Sequence, residues 1–421
     1  MAVDLLKPVT STRTRSINFF NGRLLAGEDL TTEQQANRAA HCFLGQAIGD
    51  GVVYGLEVKS DTQASTLASP VLAVSRGLAV NRNGATLYLE NDTQVALSRP
   101  PDVTNGIDPS SIFQDCVPIE TGTYIAAAGV YLLTIGPASD TAGLAEVMGI
   151  STTKAQCNTK YNVQGVQFRL LKLDFTTAEL DDVSHLRNLV AYKCFGVAEQ
   201  AAFVADPFRE DLTSYGLMDD LRAQGVLTNC EVPLGVLYWT ATSGVVFVDM
   251  WAVRRPVFAQ ATLAEWAPLA GRRRLAEGLA MFLQFQEELD DMIRLGPSPS
   301  GSIVATDYFR YLSPVGLLQL ADLQSSMGLN YSQFFSTHTY RDPVFIEGAK
   351  LEALVWRCLA YPPIDLNRHD MVWLYWVREN VEPVVEHTAT PKSYLMFTNG
   401  QVPFQGVAHF DLNYWNYANF V

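Results

Sequence analysis

The residue types that do chemistry are present in this chain, but not at spacings that do it. The histidines His41, His185, His338, His369, His387 and His409 are scattered, and none forms an HxH or HxxxH pair. Each reads as a surface or satisfied core histidine rather than a metal ligand. Glu287-Glu288 and Asp290-Asp291 concentrate carboxylates on one helical stretch. Acid–base pairs of the glycosidase type must face each other across a cleft, so these read as a solvated helix face. Arg272-Arg273-Arg274 also reads as helix solvation, with a grip on an acidic partner as the alternative. Asn367-Arg368-His369-Asp370 is the nearest thing to a polar cluster, and a loop leading into the next strand accounts for it. There is no phosphate-cradling glycine loop, no GxGxxG after a strand, no HExxH and no GxSxG. No catalytic residue, cofactor or metal ligand is assigned, and the chain reads as a non-enzyme.

The most explicit stretch is structural. Asn21-Gly22 is the pair that most readily takes left-handed turn conformations. It follows Ile17–Phe20, read as a short strand, and Arg23–Leu25 continues after it. Thr31 or Thr32 is the expected helix cap, with Glu33 to Gln35 in the first turn. Leu30, Ala36, Ala40, Phe43, Leu44 and Ala47 then recur at helical spacing until Gly49 and Gly51 stop the helix. Val52 to Val58 reads as a strand. This apolar stripe needs a partner, because a helix of such length is marginal alone in water. The partner is either its own domain or another subunit. On the second reading the docking residues are Phe19, Phe20, Asn21, Gly22, Leu24, Leu25, Leu30, Phe43 and Leu44.

The rest of the chain predicts an α+β protein. Residues 1–16 read as an N-terminal arm. Residues 17–255 read as a β-rich domain with an N-terminal helix. It contains a hairpin from Val71–Val80 to Ala85–Leu89, a strand over Tyr124–Ile135, an exposed loop or small helix over Pro137–Tyr161, a strand over Val166–Phe175 and a helix over Asp181–Phe195. A second hairpin joins Val232–Trp239 to Val245–Val253. Residues 256–296 read as a helical connector ending at the Gly296–Gly301 linker. Residues 302–421 read as an aromatic α+β domain with a helix over Gly348–Ala360 and strands over Val372–Val377 and Tyr394–Phe397. Alternation puts Trp373 and Tyr375 on one face of their strand and Trp376 on the other. That pair is a candidate stacking platform for a sugar, against burial of the strand on both faces. The aromatic tail from Tyr414 to Phe420 should dock on its own domain or on a neighbour.

Composition narrows the partners. The chain has 421 residues, a net charge of −14 and only 18% charged residues. That charge disfavours a sequence-independent grip on nucleic acid, and the low charge fits large domains or surfaces buried against other subunits. No run of residues is apolar enough for a membrane span. Cys42, Cys116, Cys157, Cys194, Cys230 and Cys358 are widely spaced and read as free thiols of a reducing compartment. With no apolar leader in Met1 to Thr14, the expectation is a cytoplasmic protein, assembled into a particle that cell lysis could release.

Asn18 to Leu25, Asp29-Leu30-Thr31-Thr32-Glu33-Gln34 and Gly51 to Val58 together resemble the opening of proteins of phage-tail-like contractile injection systems. The type VI secretion baseplate protein K family, of trimeric cup-like adaptors, is distantly similar over about the first 60 residues. Val232–Arg255, Ala305–Leu312 and Trp373–Asn380 are similar to blocks in uncharacterised proteins of such clusters. The chain lacks the tryptophan usual in that family's first motif. The resemblance implies a structural subunit, a baseplate adaptor or fibre-like component, with other particle subunits as partners and a trimeric or hexameric homo-oligomer. It implies no catalytic residue. The alternatives are a carbohydrate- or surface-binding module of such a particle, or a hydrolase whose residues are not local in sequence.

Overall fold

The computed structural model describes residues 15–67, 69–98, 124–125, 127–147, 156–197, 216–258, 272–295, 303–320, 329–368, 371–378 and 394–402. Most of the predicted arm, the 101–120 loop, the Gly296–Gly301 linker and the aromatic tail lie outside them.

The chain opens with helix α1 (Gly27–Ile48). Strands β1 (Gly51–Gly55), β4 (Gly77–Val80) and β5 (Thr86–Leu89) form one antiparallel sheet, and β2 (Val58–Ser60), β3 (Val71–Val74) and β6 (Thr93–Ala96) form another. The third sheet has the order β10-β9-β7-β8, from β7 (Gly129–Val147), β8 (Gln156–Leu173), β9 (Val232–Thr240) and β10 (Gly244–Asp249). Between β8 and β9 lie helices α2 (Thr177–Asp181), α3 (Val183–Phe195) and α4 (Leu217–Ala223). Helix α5 (Arg273–Leu295) leads into β11 (Tyr311–Leu312), β12 (Val315–Gln319), α6 (Tyr331–Phe334), β13 (Tyr340–Glu347), α7 (Leu351–Cys358), β14 (Ile364–Asp365), β15 (Val372–Arg378) and β16 (Tyr394–Thr398). The last sheet runs β12-β16-β15-β13, with β13 parallel to β15. The class is α+β, as the sequence predicts.

Period-two alternation in β7 builds the two sides of the central sheet. Tyr131, Leu133 and Ile135 face the small N-terminal sheets, packing with Val52, Leu56, Leu72, Leu87 and Leu234. Val130 and Leu132 face the helices, packing with Leu186, Val190, Phe195, Ala280 and Met281. Helix α5 then turns other residues elsewhere. Phe285 and Leu289 enter a core with Phe309, Leu318 and Phe397, while Leu279 and Phe282 pack with Leu354, Leu359 and Met396 on the other side of the last sheet.

Four predicted elements need correction. Within the predicted loop or helix over 137–161, residues 137–147 and 156–161 are strand. β7 and β8 stay paired from Ile135↔Phe168 out to Val147↔Gln156. Beyond the sheet, Asp140–Gly143 and Lys160–Gly165 are exposed on both faces, so no hydrophobic alternation marks them. The run Val71–Val80 splits at Ser75-Arg76 into strands of different sheets. Val52–Val58 splits at Leu56, whose φ is 54°. Ile17–Phe20 is irregular rather than a strand, although Asn21-Gly22 does form a turn.

The backbone of α5 lies against the end of α7. A Cβ added at Gly278 would overlap the carbonyl oxygen of Leu359. Gly278→Ala should therefore cost about 1–3 kcal/mol through overpacking. Thermal unfolding checks this, and an unchanged midpoint would show that α5 and Leu359 separate freely.

Candidate functional site

The N-terminal element is organised by a few local bonds. Asp29 accepts from the Ala26 amide at 3.0 Å and pairs with the Arg23 guanidinium at 2.7 Å. Arg23 also donates to the Asn18 carbonyl at 3.0 Å, and the Ile17 amide donates to Glu33 at 3.0 Å. These contacts fold residues 17–26 back onto the first turn of α1, and Asp29 caps it. The expected caps Thr31 and Thr32 lie inside the helix instead, and their hydroxyls donate to the carbonyls of Gly27 and Glu28.

The docking residues are exposed. Phe19, Leu25, Leu30 and Phe43 are open to solvent, as are Phe20 (62%), Leu24 (93%) and Leu44 (63%). Asn21 and Gly22 are exposed in the turn. Gly45 is the buried residue of the 22-residue helix. It meets the β4–β5 turn so closely that a Cβ on Gly45 would overlap Gly84, and one on Gly84 would overlap the Cys42 carbonyl. Asn81 holds that turn, accepting from the Asn83 and Ala85 amides at 3.1 and 2.9 Å. Gln46 adds one bond to the Asn83 carbonyl. α1 is thus fixed at its C-terminal turn, and its apolar side chains point to solvent.

The Trp373–Tyr375 platform is corrected. Alternation does put both on one face, but Tyr375 is 2% exposed among Leu354, Cys358 and Met396. Its hydroxyl accepts from the Val402 amide at 2.9 Å, and burial pushes its pKa up to about 12. Trp373 is half-buried beneath the Arg341 guanidinium. Helix α7 covers the face a sugar would need.

The charged runs of α5 are corrected as well. Arg273 pairs with Asp219 at 2.6 Å and with Glu277 at 3.0 Å, and Arg274 donates to the Ala360 carbonyl. Glu288 is buried, not solvated. Gln284 donates to Glu288 at 2.6 Å and to Asp249 at 3.1 Å. Arg187 of α3 pairs with Asp249 at 3.1 Å and Asp291 at 2.7 Å. Sequence reasoning missed this network because its members lie on α3, β10 and α5; the buried flank of α5 beside Phe285 was the available signal. Among the described cysteines, Cys42, Cys194 and Cys358 carry no disulfide, but Cys230 is disulfide-bonded. The inference of a reducing compartment from free thiols fails at that position. Among the described residues no cluster could hold a metal ion, and no helix is long and apolar enough to cross a membrane.

No family model matches the chain, and no curated protein does. Among solved structures, the crystal structure of TssK is similar at 9% identity over 92% of each chain, with a TM-score of 0.22, a superposition too loose to establish a shared fold.

Burial pushes the Glu288 carboxyl up to about 7; Asp249 and Asp291 add to the rise, and Arg187 and the Gln284 amide oppose it. The folded state then binds a proton that the unfolded state releases near pH 4.5. The stability this contributes is present in full below pH 4.5 and is lost as pH rises towards about 7. Its size is on the order of 3 kcal/mol. Glu288→Gln should flatten that slope in denaturant titrations between these pH values, and an unaltered slope would contradict the assignment.

Proposed function

We propose that this chain is a structural subunit of a phage-tail-like contractile particle, a baseplate adaptor or fibre-like component, whose residues 17–48 dock on a neighbouring subunit. One observation carries the reading. A 22-residue helix with Gly45 as its buried residue presents Leu30, Phe43, Leu44 and Ile48 to water, beside Phe19, Phe20, Leu24 and Leu25. Apolar residues clustered in this way mark an interaction site. The Asp29–Arg23–Asn18 clasp holds the turn in place, so little ordering remains to be done on docking. The motif resemblance of Asn18–Leu25 and Asp29–Gln34 points to the class of particle. On this reading the chain does no catalysis, and it assembles in the cytoplasm into a homo-oligomer, a trimer or hexamer, through obligate contacts of roughly 2,000–5,000 Å².

The test must leave the fold alone. Val52, Leu56 and Val58 are core residues, so a truncation through residue 58 would unfold the β-rich part rather than test docking. Phe43→Asp with Leu44→Asp is the better variant. Both side chains are exposed, so unfolding free energy should stay within about 0.5 kcal/mol per site. Sheathed particles pelleted from the source cell should contain the wild-type chain in fixed proportion and lack the double variant. A wild-type chain that stays free while particles pellet without it overturns the proposal. So does normal incorporation of the variant.

A further inference from the structure

A cavity of about 70 Å³ lies where the end of α1, the β4–β5 turn, α4 and the start of α5 meet. Its polar lining is ionic. Arg82, Arg222, Arg255 and Arg273 face it, with Asp50, Asp219 and Glu277. Arg82 and Arg273 share the two oxygens of Asp219, at 3.4 and 2.6 Å. Arg82 also reaches Asp50 at 3.2 Å, and Arg273 reaches Glu277 at 3.0 Å. Arg255 is held by the carbonyls of Trp251, Ala252 and Arg254 and stands over the Phe195 ring.

Arg222 differs from all of these. Its side chain makes no hydrogen bond or ion pair among the described residues, and its Nε is buried without a partner. Burial lowers its pKa to about 10, and the neighbouring Arg82 and Arg273 add to the fall while Asp50 and Asp219 oppose it. A guanidinium does not deprotonate at neutral pH. It therefore stays charged in the cavity, half-buried and with its buried Nε unpaired, which is a cost that a direct acceptor would remove. The planar fork of Nη1 and Nη2 suits a pair of oxygens on one acceptor atom. A cavity needs about 10–15 Å³ to admit one water, so this one has room for a tetrahedral oxyanion.

We propose that this cavity binds a small free oxyanion of the phosphate class, with Arg222 as its primary ligand. The anion would pair with a guanidinium that makes no direct ion pair among the described residues, although Asp50 and Asp219 lie near it. It would also tie α4 to the α1–β1 junction and the start of α5. This site does not depend on the docking role of α1.

The test is thermal unfolding of the full chain in chloride and in inorganic phosphate at matched ionic strength, with isothermal titration of phosphate. The wild-type midpoint should rise saturably with phosphate. Arg222→Met should unfold higher than wild type in chloride, because an uncompensated charge is gone, and should ignore phosphate. Arg222→Lys keeps the charge and loses the fork, so its phosphate affinity should fall about tenfold, the loss of one charge-assisted hydrogen bond. If the wild type shows no saturable response, the proposal fails. It fails equally if Arg222→Met responds as the wild type does, or if Arg222→Lys binds phosphate with undiminished affinity.

Discussion

Helix α5 packs into three cores at once, and that constraint shapes much of the molecule. Ala280 and Met281 belong to the core under the central sheet, Phe285 and Leu289 to the aromatic core, and Leu279 and Phe282 to the far side of the last sheet. A helix buried over so much of its circumference cannot keep all its polar residues wet. Gln284 and Glu288 are therefore buried, and Arg187 serves Asp249 and Asp291 beside them. Removing one member of such a network leaves another charge uncompensated, so it fixes the register of α5 against α3 and β10. Asn188 reinforces the same junction, accepting from the Arg310 and Tyr311 amides and donating to the Tyr311 carbonyl.

Helix α1 is the opposite case. Its length is like that of α5, but its described contacts with the sheets include a close backbone approach at Gly45–Gly84 and a side-chain bond from Gln46 at its C-terminal end, with no apolar side chain of the helix buried. Intrinsic propensity alone leaves such a helix marginal in water. The apolar residues that would stabilise it by packing face outward. Among the described helices, α3 and α5 complete the protein's own cores, while α1 keeps its large apolar side chains exposed. The β7–β8 ribbon likewise runs beyond its sheet into solvent.

The sequence was legible where local chemistry and burial agree. The β9–β10 hairpin, α3, α7, β15 and β16 all stand near their predicted limits because their apolar patterns match the faces they bury. The Trp373–Tyr375 alternation was read correctly, yet its exposure was not, because periodicity says which residues share a face and not what covers it. The strands over 137–147 and 156–161 were hidden because the exposed stretches Asp140–Gly143 and Lys160–Gly165 are wet on both faces and carry no alternation. The α1 cap was misplaced because the helix starts four residues before Thr31, where Asp29 accepts from the Ala26 amide and pairs with Arg23. The buried network and the arginine cavity join residues far apart in the chain, such as Arg187 with Asp291 and Arg82 with Asp219. No local pattern announces them.

The central claim is that no described residue covers the exposed apolar side chains of α1. Native-state hydrogen exchange on the isolated protein measures that most directly. Amides of residues 30–44 should exchange orders of magnitude faster than those of β7 and β9, since their opening needs almost no loss of packing, and they should become protected in assembled particles. Protection of α1 equal to that of β7 in the isolated chain would contradict the account.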